Sequence, residues 1–234
     1  MFEKQKGLPL VFVSWVIERV MGMDKGSIQR AVTLAVCLQA AARGEYYVPA
    51  AASARHIHLS AKDVAILFGE GYALQPMRPL TQPGQFAAEE KVDIVGPRGS
   101  ITGVRVLGPA RKETQIELSV TDAIKLGFKQ VVRMSGAALM ETPGAKLVGP
   151  KGSVELPQGV IIAARHLHIS KEEAAAYGLK DGQIVSVKKS GIRETTFGNV
   201  VVRSGDGHSL EVHLDTDEAN AALLSNGDLL EIIR

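Results

Sequence analysis

The chain has 234 residues, 45% of them hydrophobic, which is enough to bury one large or two small cores and excludes disorder over most of its length. A formal charge of +2 and a pI near 8.6, with scattered Lys and Arg and only 5% aromatics, leave no nucleic-acid binding face. The single cysteine, Cys37, rules out an intrachain disulfide and fits a reducing compartment.

Residues 1–44 are predicted as a helical extension in two segments that split near residues 22–26. The apolar run 8–17 follows Lys4 and Lys6 but is interrupted by Pro9 and met at once by Glu18 and Arg19. It lacks a small-residue cleavage pattern and is too short to span a bilayer, so a cytoplasmic chain with no membrane contact is expected. Over 27–43, Ile28, Val32, Ala35, Leu38 and Ala42 recur at helical spacing, with Ser27 as the cap and Gly44 as the stop. Such a helix either folds back on the body and serves oligomer contacts, or docks on a larger assembly.

The motif Arg55-His56-Ile57-His58-Leu59-Ser60 opens the next region, and Arg165-His166-Leu167-His168-Ile169-Ser170 repeats it at every polar position. Side chains alternate faces along a strand, so His56 and His58 point one way, as do His166 and His168, while Ile57 and Leu167 face a core. Each histidine pair is then placed to grip one ion. After each pair comes a serine-capped helix, at Ser60 with Asp63 and at Ser170 with Glu173, ending at Gly69 and Gly178. Alternating or apolar runs at 92–95, 101–107 and 114–120 read as strands, followed by a short helix capped by Thr121. In the second half, strands are expected at 184–188, 195–203, 209–214 and 229–233, with a helix over 216–224. The turns Val95-Gly-Pro-Arg-Gly-Ser100 and Val148-Gly-Pro-Lys-Gly-Ser153 have hairpin chemistry, and no Walker pattern follows either.

Aligning the ends of the halves lays Glu117-Leu-Ser-Val-Thr-Asp-Ala123 over His213-Leu-Asp-Thr-Asp-Glu-Ala219, which puts Glu117 on His213. Both are potential ligands, so the trios His56/His58/Glu117 and His166/His168/His213 follow. Three donors leave a position open for water or substrate, as catalytic zinc sites do, and imidazole with carboxylate also suits cobalt, manganese or iron. Arg111 leads into the Glu117 strand and offers a bidentate fork to an anion beside the metal. His208, between Gly207 and Ser209, reads as a surface turn residue. Closely spaced strands argue against crossover folds. The expected class is therefore mainly β with short helices (α+β), as two similar small β-barrels after the helical extension. The expected boundaries are 55–163 for the first barrel and 164–234 for the second.

Four linked motifs carry a family resemblance: Ser-x-Arg-His-x-His-Leu-Ser, Gly-Pro-x-Arg-x-x-Thr-Gln-x-Glu, Ala-Arg-His-x-His and His-x-Asp-Thr-Asp-Glu-Ala-Asn. In order, from about Val48 to the C-terminus, the chain resembles the phosphate propanoyltransferases, the phosphotransacylases of bacterial microcompartments. Ala54 stands where Asn is more usual, and the N-terminus is unusually long. The resemblance implies two β-barrels with two divalent ions, expected to be zinc, and the strand at 45–54 completing the second barrel. It implies interconversion of acyl-CoA plus phosphate with acyl phosphate plus coenzyme A, with propanoyl-CoA expected and propanediol degradation as the setting. The His56/His58/Glu117 ion would take the CoA sulphur, and the His166/His168/His213 ion would hold phosphate or polarise the thioester carbonyl. Arg111 would orient phosphate, with Ser135 in the same pocket. The N-terminal helix resembles an encapsulation peptide, implying microcompartment shell or core proteins as partners, and a homo-oligomer is expected. Two other readings stand beside this one: a dinuclear metallohydrolase acting on thioester or phosphoester, and a non-catalytic microcompartment-associated module.

Overall fold

The computed structural model describes residues 24–234, and strands dominate them. The apolar run 8–17 and the first predicted helical segment lie outside the described residues. Helix α1 (Lys25–Ala41) starts one turn earlier than Ser27, because the Asp24 carboxylate accepts the Ser27 amide at 3.1 Å. Its Leu34, Cys37, Leu38 and Ala41 lie against the core of the second half. No helix among the described residues is long and apolar enough to cross a membrane.

Next come β1 (Tyr47–Ser53), β2 (His56–His58), α2 (Ala61–Phe68), β3 (Pro76–Pro79), β4 (Phe86–Gly96), β5 (Gly99–Gly108), β6 (Gln115–Leu118) and α3 (Val120–Leu126). The first half ends with β7 (Val132–Arg133), β8 (Ala145–Val148), β9 (Ser153–Leu156) and β10 (Val160–Ala163). The second half runs β11 (His166–Ile169), α4 (Lys171–Tyr177), β12 (Ile184–Lys189), β13 (Thr195–Ser204), β14 (Glu211–Asp215), α5 (Thr216–Ala222) and β15 (Leu229–Ile233). Helix α3 is capped by Ser119, whose hydroxyl accepts the Asp122 amide at 3.2 Å, and so begins before Thr121. Strand β3 falls in a proline-rich stretch that reads as a connection; among the described residues it pairs only with β4 and is therefore an edge, where proline is tolerated.

The second half closes into a six-stranded barrel in the order β1-β14-β11-β13-β12-β15, with β1 pairing both β14 and β15. The first half is a nine-stranded sheet curled into a half-barrel, β7-β10-β6-β2-β5-β4-β8-β9, with β3 on β4. Both halves share a kernel. β2 runs parallel to β5 and antiparallel to β6, just as β11 runs parallel to β13 and antiparallel to β14. The residues between the histidines, Ile57 and Leu167, are fully buried in separate cores. The arginine before each pair ties its strand to the helix that follows the third donor: Arg55 Nε meets Asp122 Oδ2 at 2.6 Å, and Arg165 bonds Glu218. Both acids sit in the first turn of their helix, where the dipole favours negative charge.

Helices of seven or eight residues are unstable alone, so their ends are held by contacts. The hairpin turns do this in the first half, where Arg98 N donates to Leu126 O and Lys151 N donates to Leu67 O, both at 3.0 Å. The turn backbones thereby satisfy the last carbonyls of α3 and α2. Approach this close requires glycine: a Cβ on Gly96 would lie 2.5 Å from Leu126 O, and one on Gly149 would lie 2.6 Å from Leu67 O. In urea unfolding, Gly96→Ala and Gly149→Ala are each expected to lose ~1–3 kcal/mol. Gly99→Ala, where a Cβ meets nothing within 4 Å, is expected to stay within ~0.5 kcal/mol of the parent.

Candidate metal centres and their cleft

Strand register brings the donors together. His56 lies directly across from Glu117 on β6, and His166 lies directly across from His213 on β14. One residue along each strand, the alternation sends Ile57, Ile116 and Leu118 into the core and leaves the donors on the other face. In each trio the ligand atoms lie within 4.8 Å of one another. Glu117 Oε2 is 3.5 Å from His56 Nε2, and Oε1 is 3.7 Å from His58 Nε2. Donors arranged tetrahedrally about an ion ~2.1 Å from each stand ~3.4 Å apart, so the spacing fits a zinc-sized cation.

The rings are also turned correctly. His56 Nδ1 bonds Ala54 O at 2.8 Å, and His166 Nδ1 bonds Ala164 O at 2.7 Å. With the proton held on Nδ1, the Nε2 lone pair faces the site. Burial first, then His56, pushes the His58 imidazole down to about 3, and burial with His213 pushes His166 down to about 4. His168 is lowered as well, by burial and then by His213 and His166. Burial alone would raise the Glu117 carboxyl, but His56, His58, the Ser135 hydroxyl and Arg111 outweigh it and hold it at about 2. At neutral pH the first trio thus carries an anionic carboxylate beside a neutral His58, and His166 and His168 of the second trio are neutral too.

Ser135 Oγ donates to Glu117 Oε1 at 2.5 Å and accepts from Arg111 Nη1 at 3.3 Å. Arg111 is seated through its backbone, where its amide donates to Leu59 O at 2.8 Å just past the histidine pair. Arg203 enters from β13, donating from Nη1 to Ser135 O at 3.2 Å. Burial first, with Arg203 adding, pulls the Arg111 guanidinium below its ordinary range, while Glu117 opposes the shift. Two guanidiniums meeting beside both trios make a seat for an anion. A cleft of about 1090 Å³ is lined by both trios, Arg111, Ser135 and Arg203, a size suited to a large cofactor-like molecule.

The six donors, Arg111 and Ser135 all come to this one cleft. Sequence reading missed Arg203, His208, Glu211 and the work of Gln115. Gln115 and Glu211 lie opposite the second histidine of each pair, so extending the repeat alignment by two residues toward the N-terminus would have found both. Gln115 Oε1 accepts from Arg111 Nη1 at 3.3 Å and from Gly136 N at 2.9 Å, and Glu211 Oε2 is 2.8 Å from His213 Nε2. His208 is not a bare turn residue: it is half-buried, and its Nδ1 lies 2.7 Å from His168 Nδ1. No local spacing signals it, nor Arg203, since both reach the site only through the barrel.

A duplicated β-protein with matched histidine-pair centres facing one cleft is the class that fold and site define. The family model for phosphate propanoyltransferase matches residues 49–225. A phosphate propanoyltransferase of Thermotoga maritima is 53% identical over 182 residues, covering 77% of this chain and 86% of the relative. One from Priestia megaterium is 50% identical over 207 residues, 88% of this chain and 95% of the relative. One from Clostridioides difficile is 45% identical over 190 residues, 81% and 90% respectively. The chain belongs to the phosphate propanoyltransferase family and is an acyltransferase.

The depressed imidazoles set a pH dependence. Their folded pKa values lie below the ordinary 6.5, so the unfolded chain binds more protons as pH falls beneath that value. The histidine contribution is complete above about 6.5 and is lost as the pH falls toward about 4 for His166 and about 3 for His58, whereas the Glu117 contribution persists until the pH falls below about 4.5. Urea titrations of metal-free protein should give an unfolding free energy that is flat above pH ~7 and falls below ~6.5 by up to ~1.4 kcal/mol per pH unit for each histidine. A level profile down to pH ~4.5 would contradict this account.

Proposed function

We propose that this acyltransferase interconverts a short-chain acyl-CoA, propanoyl-CoA foremost, and phosphate with acyl phosphate and coenzyme A. The observation that carries this reading is the convergence of both donor trios with Arg111 and Arg203 on one cleft. His56, His58 and Glu117 would hold one divalent ion, and His166, His168 and His213 a second, with zinc the best match to donor type and spacing. Bound there, such ions supply Lewis acidity toward thiolate sulphur and toward carbonyl or phosphoryl oxygen.

The chain's own groups do the positioning. Arg111 and Arg203 take the phosphate dianion between them, so one of its oxygens faces the thioester carbon. That oxygen forms the new C–O bond, the C–S bond breaks, and the sulphur leaves with its electron pair. Phosphate is already nucleophilic at neutral pH, so orientation and charge balance matter more than proton removal. The Ser135 hydroxyl, bonded to both Glu117 and Arg111, couples the anion seat to the first trio. Gln115 keeps Arg111 pointed inward. The location inside a bacterial microcompartment, with shell or core proteins as partners, is supported by α1, whose outer face leaves Val32 and Val36 exposed.

Acyl phosphate and CoA supplied together should yield acyl-CoA and phosphate, followed by loss of free thiol. Chelation should abolish the reaction and zinc should restore it. Arg111→Ala is expected to lower kcat by ~10²–10³-fold with metal content unchanged. Loss of acyl phosphate to water without CoA would favour a metallohydrolase instead, and turnover that survives full removal of the ions would reject the two-metal reading.

A further inference from the structure

The four histidines of the repeated motif are not all held alike. His56 and His166, at matched positions, give their Nδ1 to the carbonyls of Ala54 and Ala164. His58 faces the backbone of Leu107, which follows the β5 residue paired with Ile57. In the second half the matching position is Arg203, next to the β13 residue paired with Leu167. His168 turns instead to a side chain, with His208 Nδ1 at 2.7 Å and the two rings stacked 4.6 Å apart at 24°. Two imidazoles are therefore set by main-chain carbonyls and one by another imidazole.

His208 is itself fixed in place. Its ring occupies the space a side chain on residue 205 would need, since a Cβ on Gly205 would come 2.9 Å from His208 Cδ2. Its amide donates to Gly205 O at 3.2 Å, and Gly205 N donates to Ile169 O at 3.1 Å, tying the turn to the end of β11. The next residue is clamped from the other half. The buried Gln82 side chain donates from Nε2 to Ser209 O at 3.0 Å and accepts from Ser209 N at 3.1 Å.

We propose that His208 is a positioning residue for the second centre. It accepts the His168 Nδ1 proton, which leaves His168 Nε2 free for the ion, and Gln82 holds it there from across the cleft. This rests on the two-metal reading above. A partner of this kind, bonded to the far nitrogen of a ligand histidine, typically changes metal affinity by ~10–100-fold. One ion of the pair would then depend on a contact between halves, while the other depends on the main chain of its own half.

The experiment is zinc competition with a chromophoric chelator on the full-length protein. The parent should bind two zinc ions per chain. In His208→Ala one zinc should weaken ~10–100-fold and the other should keep its affinity. His208→Gln, which restores an acceptor, should recover part of the loss. Gln82→Ala, which touches neither imidazole, should loosen the same zinc by a smaller factor and keeps the test valid if His208→Ala folds poorly. Cobalt substituted for zinc should show changed visible bands for one ion only. Both affinities within twofold of the parent in His208→Ala and Gln82→Ala would overturn the role of His208. A parent chain that binds no zinc would instead sink the two-metal reading on which it rests.

Discussion

The antiparallel pairing of a histidine-bearing strand with a third-donor strand is the constraint from which the rest of the molecule follows. Because His56 faces Glu117 and His166 faces His213 across one register, a slip of a single residue would turn every donor into a core and every core residue into the cleft. The buried Ile57 and Leu167 prevent that slip, since each is locked in hydrophobic packing between its two polar neighbours. Fold and site therefore share the same residues. Arg55 and Arg165 extend this lock by binding each strand to the helix beyond the third donor.

The electrostatics are arranged to match. Burial keeps His58, His166 and His168 neutral, which is the protonation state that can donate to a cation. Glu117 stays charged despite being buried, because Ser135, Arg111 and two imidazoles surround it. Duplication gave the halves the same scaffold but different charge. The first trio carries a carboxylate where the second carries a third imidazole, and two chemically distinct centres result.

The two halves also differ in closure. The second half is a complete barrel only because β1, which precedes the first histidine pair, crosses over to sit between β14 and β15. The first half stays open and sends loops toward the barrel, and those loops carry Ser135 and Gln82. Neither half alone contains the cleft. Arg203 reaching Ser135 and Gln82 reaching Ser209 make the site a property of the pair.

Much of this was legible in the chain itself. The repeated Arg-His-X-His, its strand periodicity and the alignment of Glu117 with His213 named both trios, because strand alternation is local and a duplication preserves spacing. The serine caps of α2 and α4 and both glycine-proline hairpins could be read for the same reason. The openness of the first sheet, and the parts played by Arg203, Gln82 and His208, could not. They are set by which distant strands pair and how closely the halves approach, and no local pattern encodes a contact between residues more than a hundred positions apart, as Gln82 and Ser209 are.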